Sequence, residues 1–331
     1  MRSNPLSATP PAPNLIIAIR AGFDAITNHI LLILFPVLLD LLLWLGPRIR
    51  LSGWIVLLSN QLLQMSDLAD QGGGDLVTAG RDLWLSMAGQ FNLLAALRTY
   101  PIGIPSLLVG RQPITAPIGS PWFWELETIP QVILLFALIS LTGLVFGTLY
   151  YSLVAQAAVN GKVSWAETLR FWPGTAVRVT LLTLFWVTLI LLLSIPGSIL
   201  LTLVVLSGFS FAQCVLLLYG GFALWLILPL FFSPHGLIIF REDIFNAIRL
   251  SISVIRRTLP TTVIFILAIF LLSKGLDILW LAPADDSWLM IVGILGHAFI
   301  TTSVLASSFI YYRDAVRWMR GVLHRSSYST V

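Results

Sequence analysis

Long runs of nearly uncharged, apolar residues recur along this chain, at about 30–46, 129–157, 177–206, 209–233, 259–281 and 287–312. A helix rising about 1.5 Å per residue needs roughly 17–25 such residues to cross a hydrocarbon layer about 30 Å thick. Each run meets that length, and a water-facing fold could not cover all of them. Only 10% of the residues are charged, against about a quarter in soluble domains. The chain therefore reads as an all-α, polytopic membrane protein. Its six transmembrane helices form three hairpins, with amphipathic helices on the inner side and a helical cap outside.

Charge placement sets the expected orientation. Six spans put both ends on one side. On that side fall Arg2, Arg20, Lys162, Arg170, Arg178, Arg241, Arg249, Arg256, Arg257, Arg313, Arg317, Arg320 and Arg325, most of the 19 basic residues. Basic residues concentrate in cytoplasmic loops, so both termini are expected in the cytoplasm, and the protein in a cell membrane of bacterial inner-membrane type. Trp44, Trp122, Trp124, Trp280 and Trp288 fall at the expected outer boundary, and Tyr311, Tyr312 and Trp318 at the inner one, as aromatic belts. The 1–13 stretch is a proline-rich, disordered tail with no signal-peptide pattern, and 314–331 is a basic cytoplasmic tail.

Three inner segments look alike, beginning "NLIIAIRAGF" at Asn14, "SWAETLRFWP" at Ser164 and "DIFNAIRLSI" at Asp243. Each opens with a helix-capping residue: Asn14, Ser164 with Glu167 as a capping box, and Asp243. Each then carries an arginine (Arg20, Arg170, Arg249) before a span begins. In the third copy Asn246, Arg249, Ser253, Arg256 and Arg257 share one helical stripe opposite Ile244, Phe245, Ile248, Ile252 and Ile255. That pattern describes a helix lying in the membrane interface with its arginines towards headgroups. Arg20, Arg170, Arg249, Arg256, Arg257 and Arg317 are accordingly the expected lipid-headgroup contacts. The repeating unit is an interfacial helix, an outward span and a returning span, with an 47–128 insertion in the first copy and a five-span core over 129–313.

The run "ILPLFFSPHGLIIFREDIFNAIRLSISVIRRTLPTTVIFILAIF", residues 227–270, orders a span, a proline, a short turn, a basic amphipathic helix and a second span. In this the chain resembles, mainly over 160–312, the membrane domain fused to some bacterial glycerophosphodiester phosphodiesterases, and related stand-alone multipass families. The resemblance implies a six-helix membrane module. The soluble phosphodiesterase domain, with its metal-binding acids and histidines, has no counterpart here, so it implies no catalysis.

The insertion is expected to form two amphipathic helices, over 51–65 and 75–100, and then a proline-rich strap lying on the outer face or over the bundle mouth. Its triple glycine is not followed by Gly-Lys-Ser/Thr and is no phosphate-binding loop.

Polar residues inside spans are costly and mark candidate sites. Asp40, His297, Gln156 and Gln213 are the candidates here. Asp40 lies about 9 Å from the outer end of its span. It reads as a structural tie, drawn towards Arg48 and Arg50 or bonded to Gln156, Gln213 or His297, with a proton- or ion-coupling site as the alternative. His297 reads as a neutral imidazole bonded to a neighbouring helix. Pro196 and Gly197 should kink the third span or split it. Lys274 should pair with Asp277 near an outer end, and these with Asp285 and Asp286 read as solvated boundary charges. Cys214 stands alone, and no histidine or acid pair has metal-ligand spacing, so no metal or cofactor is expected. Basic residues spread along a membrane border suit anionic lipid rather than nucleic acid. The expected function is a non-enzymatic module organising membrane lipid or partner membrane proteins. The alternative is a small-solute or lipid transporter using Asp40.

Overall fold

A computed structural model describes residues 11–51, 53, 91–207 and 212–328. In chain order among these residues the elements are α1 (Leu15–Asn28), α2 (Leu34–Leu45), β1 (Arg48–Arg50), β2 (Phe123–Glu125), α3 (Ile129–Asn160), α4 (Trp165–Ser207), α5 (Ala212–Ile227), α6 (Ser233–Ile239), α7 (Ile244–Trp280) and α8 (Met290–Tyr328). Five helical stretches are long and apolar enough to cross a membrane, and the α1–α2 pair makes a sixth if it counts as one broken span. The fold is all-α and polytopic.

The inner helix starts follow the capping residues. The Asn14 side chain accepts from the backbone N–H of Ile16 and Ile17, and Asp243 accepts from Asn246 at 2.9 Å. At Ser164 the capping box is half made. Its hydroxyl accepts from the Glu167 N–H, but the Glu167 carboxylate is drawn 2.6 Å from Arg241 instead. α1 then turns by 94° into the stretch Ile30–Leu45. Inside α7, Thr258 leaves helical geometry at φ −117°, ψ 21°, two residues before Pro260, which removes a backbone donor there. The corresponding place in α4 shows no such break. α4 is one helix from Trp165 to Ser207, containing both Pro173 and Pro196, so the expected splitting at Pro196 and Gly197 does not occur. The turn expected at 206–210 falls largely outside the described residues, as do 54–65 and 75–90 of the two amphipathic helices expected at 51–65 and 75–100. Over 91–100 the second is only a short 3-10 helix, Leu93–Leu97, started by the Asn92 side chain.

Between membrane helices there is little hydrophobic drive, so close packing through small residues carries the assembly. Gly22 of α1 lies against Ser303 and Ser307 of α8, where any side chain would collide with backbone. Deeper, Phe265 of α7 stacks on Tyr311 of α8 at 4.2 Å, with Thr262 bonded to the tyrosine hydroxyl. Tyr311 and Tyr312 are fully buried. They are therefore core residues, not the lipid-facing inner belt expected of them. Of the outer aromatics, Trp122, Trp124 and Trp288 are exposed, whereas Trp44 is buried and donates to the Asp285 carbonyl at 2.7 Å. In the inner part of α7 the bundle-facing residues are Ala247, Ser251, Val254 and Ile255. The expected apolar face is thus rotated, and Phe245 is left exposed.

The segment after 91 does not simply lie across the bundle mouth. β1 pairs in parallel with β2, tying its start to its end. Between them the chain enters the bundle. The Leu97 carbonyl lies against Gly143 of α3, and a Cβ on Gly147 would come within 2.8 Å of the Gly103 Cα. Gly147 is one turn outward of Tyr150, whose hydroxyl bonds Thr302 of α8. Thr302 lies about 18 Å down α8 from Met290, at about 1.5 Å per residue. The loop 97–109 therefore packs among the helices inside the bundle rather than only at its end.

Candidate functional site

Asp40 is what holds that loop in place. It is fully buried. Its carboxylate accepts from the Ser106 hydroxyl at 2.5 Å and from the backbone N–H groups of Leu107 and Leu108 at 3.0 and 3.1 Å. Three donors around one carboxylate are the arrangement that makes a buried charge tolerable. Neither Arg48 nor Arg50 reaches it. Arg48 is itself buried and donates to the Gln112 carbonyl at 2.8 Å, while Arg50 stacks over Phe123 at 3.6 Å.

The four polar candidates do not form one cluster. His297 bonds through its Nδ1 to the Asp277 carboxylate at 2.7 Å, not to Asp40. Asp277 also accepts from Lys274 at 2.7 Å. Asp277 is only 8% exposed, so the pairing with Lys274 stands but the solvated reading of Asp277 does not. Asp285 is likewise engaged: Arg111 pairs with it at 2.9 Å and donates to the Leu281 carbonyl. That contact locks the outer loop to the α7–α8 turn. Gln156 sits near the inner end of α3, where its side-chain oxygen accepts from the Ser164 N–H, and Gln213 is exposed on α5. Arg20, Arg170, Arg249, Arg256, Arg257 and Arg317 are all exposed. Arg20 pairs loosely with Asp24, at 3.9 Å.

The site that the fold builds lies beneath the loop. A cavity of about 390 Å³ is lined by Arg98, Thr99, Tyr100, Pro101, Gly103 and Pro105 of the loop, Tyr151 of α3 and Trp186 of α4. Phe231, with Pro234 and His235 of α6, Ile269 and Ser273 of α7, and Thr301, Val304, Leu305 and Ser308 of α8 complete it. Its size lies within the range of small-molecule pockets, and its wall is mostly apolar with a few polar groups.

Three of those polar groups are incompletely used. Arg98 spends one N–H on the Ser106 carbonyl at 3.1 Å and stands over the Tyr100 ring. No carboxylate pairs with it among the described residues. The buried Nε1 of Trp186 and Nδ1 of His235 have no hydrogen-bond partner among the described residues. His235 Nε2 is 2.7 Å from the Ser308 hydroxyl. Ser308 gives its single proton to the Leu305 carbonyl, so its oxygen must accept, and His235 Nε2 carries the hydrogen. In the neutral ring Nδ1 is then an acceptor without a donor.

Arg98, Trp186 and His235 were not among the sequence candidates. Arg98 counts as an outer-loop charge until the loop is seen to enter the bundle. One signal was present: "PIGIPSLLVG", 101–110, is an apolar run too short to span, the length typical of re-entrant segments. Among the described residues no group of three histidines, cysteines or acids is placed to hold a metal ion. Comparison with protein-family models, with curated proteins and with solved structures finds no match to this chain.

Proposed function

We propose that this protein is a non-enzymatic multipass membrane module that receives and organises membrane lipid, with an amphiphilic molecule held inside its bundle. One observation carries the reading: a mostly apolar cavity among helices long and apolar enough to cross a membrane, with an arginine in its wall that no acid among the described residues neutralises. Charges among such helices normally face a polar pathway or pair with one another. The His297–Asp277 and Ser106–Asp40 pairs of the outer half tie helices and loop together, and both are read as structural. Nothing catalytic is therefore assigned. The resemblance to phosphodiesterase-linked membrane domains is compatible with such a module.

The exposed arginines at the α1, α4, α7 and α8 ends suit anionic headgroups on the cytoplasmic side, with both termini there. The three capped inner helices are read as versions of one interfacial unit. Tyr100 is 64% exposed at the cavity wall, which gives lipid a lateral way in. That entrance, with a loop that enters the bundle, favours a second reading in which the lipid is also carried across.

The protein purified in mild detergent should retain bilayer lipid through detergent exchange, as seen by native mass spectrometry. Leu305→Trp, which fills the cavity, should remove most of that lipid. A wild-type protein that emerges free of lipid would defeat the proposal. Lipid movement between leaflets of reconstituted vesicles would select the transport reading.

A further inference from the structure

The cavity's unused groups specify more than an amphiphile. We propose that the cavity takes an anionic phosphate-bearing lipid whose headgroup keeps at least one O–H donor. The inference rests on the lipid-binding reading above and deepens it.

The argument is one of donor and acceptor matching. Arg98 supplies a fixed positive charge and several N–H groups beyond the one given to Ser106. Guanidinium geometry suits phosphate oxygens, and inside the bundle the pair would be poorly screened by water. Trp186 is 9% exposed and adds a neutral N–H donor that nothing in the described protein satisfies. A buried donor left without a partner costs about 1–3 kcal/mol, and an oxygen-rich group would relieve that cost. His235, 5% exposed, offers the opposite function. Its Nδ1 is an acceptor because Ser308 has fixed the proton on Nε2.

Arg98, Trp186 and His235 are three residues of one cavity wall. A choline phosphodiester has the charge for Arg98 but no donor for His235. A phosphate monoester, whose second ionisation falls near pH 6, still carries a P–OH in part of its population near neutrality. A glycerol headgroup carries free hydroxyls. Both satisfy all three residues. The apolar remainder of the wall, from Phe231, Ile269, Val304 and Leu305, accommodates the glycerol-proximal part of a chain, and the exposed Tyr100 side leaves the rest of the molecule in the bilayer.

The test uses full-length delipidated protein and native mass spectrometry, with diacyl phosphatidic acid, phosphatidylglycerol, phosphatidylcholine and inorganic phosphate as probes. Phosphatidic acid and phosphatidylglycerol should bind at least about tenfold more tightly than phosphatidylcholine. Arg98→Gln keeps a donor for Ser106 but removes the charge, and should weaken binding of all three lipids, since each carries a phosphate for Arg98. His235→Phe removes the acceptor that only an O–H donor can meet, leaves Arg98 in place and should erase the preference. His235→Gln, whose amide can donate to Ser308 and accept at its oxygen, should keep it. Equal binding of all three lipids, or a preference that survives His235→Phe, would overturn the inference and leave the lipid-binding reading standing. Failure to bind any lipid would overturn both. Displacement of bound lipid by inorganic phosphate alone, without an amphiphile, would overturn the lipid assignment in favour of a soluble phosphate.

Discussion

Asp40 shows how a charge in a greasy helix can be structural. Its carboxylate replaces lost water with one hydroxyl and two backbone N–H groups from a distant part of the chain. Removing it strands all three. Asp40→Ala should lower stability by about 3 kcal/mol, following the cost of unpaired buried donors, and Asp40→Asn by less, since the amide oxygen still accepts. Thermal unfolding in detergent measures both. A carboxylate that served only ion coupling would give an alanine variant of unchanged stability. The sequence marks Asp40 as special because aspartate is rare in such surroundings. It does not show the partners, which are 66 to 68 positions away in the chain. The same limit hid His297's bond to Asp277 and the role of Arg98, a residue whose meaning depends wholly on where its loop goes.

At the scale of elements, what local chemistry dictates could be read directly. Five of the span positions follow from hydropathy, and three helix starts from Asn14, Ser164 and Asp243; the span expected at 30–46 is instead a short helix bent sharply from α1. What depends on neighbours could not. Glu167 leaves its capping role for Arg241, and Tyr311 and Tyr312 turn inward because α7 supplies Phe265 and Thr262 to meet one of them. Pro196 fails to split α4, since one missing N–H is tolerated inside a membrane helix when neighbouring groups compensate. The loop 97–109 is the clearest case. Its seat on α3 depends on two glycines, Gly143 and Gly147, whose missing side chains leave room for its backbone. Gly147→Leu should displace the loop, destabilise the protein by roughly 1–3 kcal/mol as overpacking does, and expose Ser106 to a water-soluble thiol reagent when that residue is replaced by cysteine. With Gly147 intact the Ser106→Cys thiol should remain unreactive.

At the scale of the whole molecule, the described residues form a helical membrane bundle closed at one end by its own chain. Arg111 and Trp44 hold the α7–α8 turn, Asp40 holds the loop, and the space left beneath opens beside Tyr100. If both termini face the cytoplasm, a cysteine at Gly110, an exposed loop position, should label from outside intact cells, whereas one at Arg249 should not; the reverse pattern would invert the topology. The account turns on whether lipid occupies the space under the loop. A photo-crosslinking amino acid at Ser273, on the cavity wall, should capture a lipid that survives delipidation, while the same group at Ile264, exposed on the outer face of α7, should lose its lipid adduct once delipidation precedes irradiation. Capture at Ile264 alone, or at neither position, would contradict it.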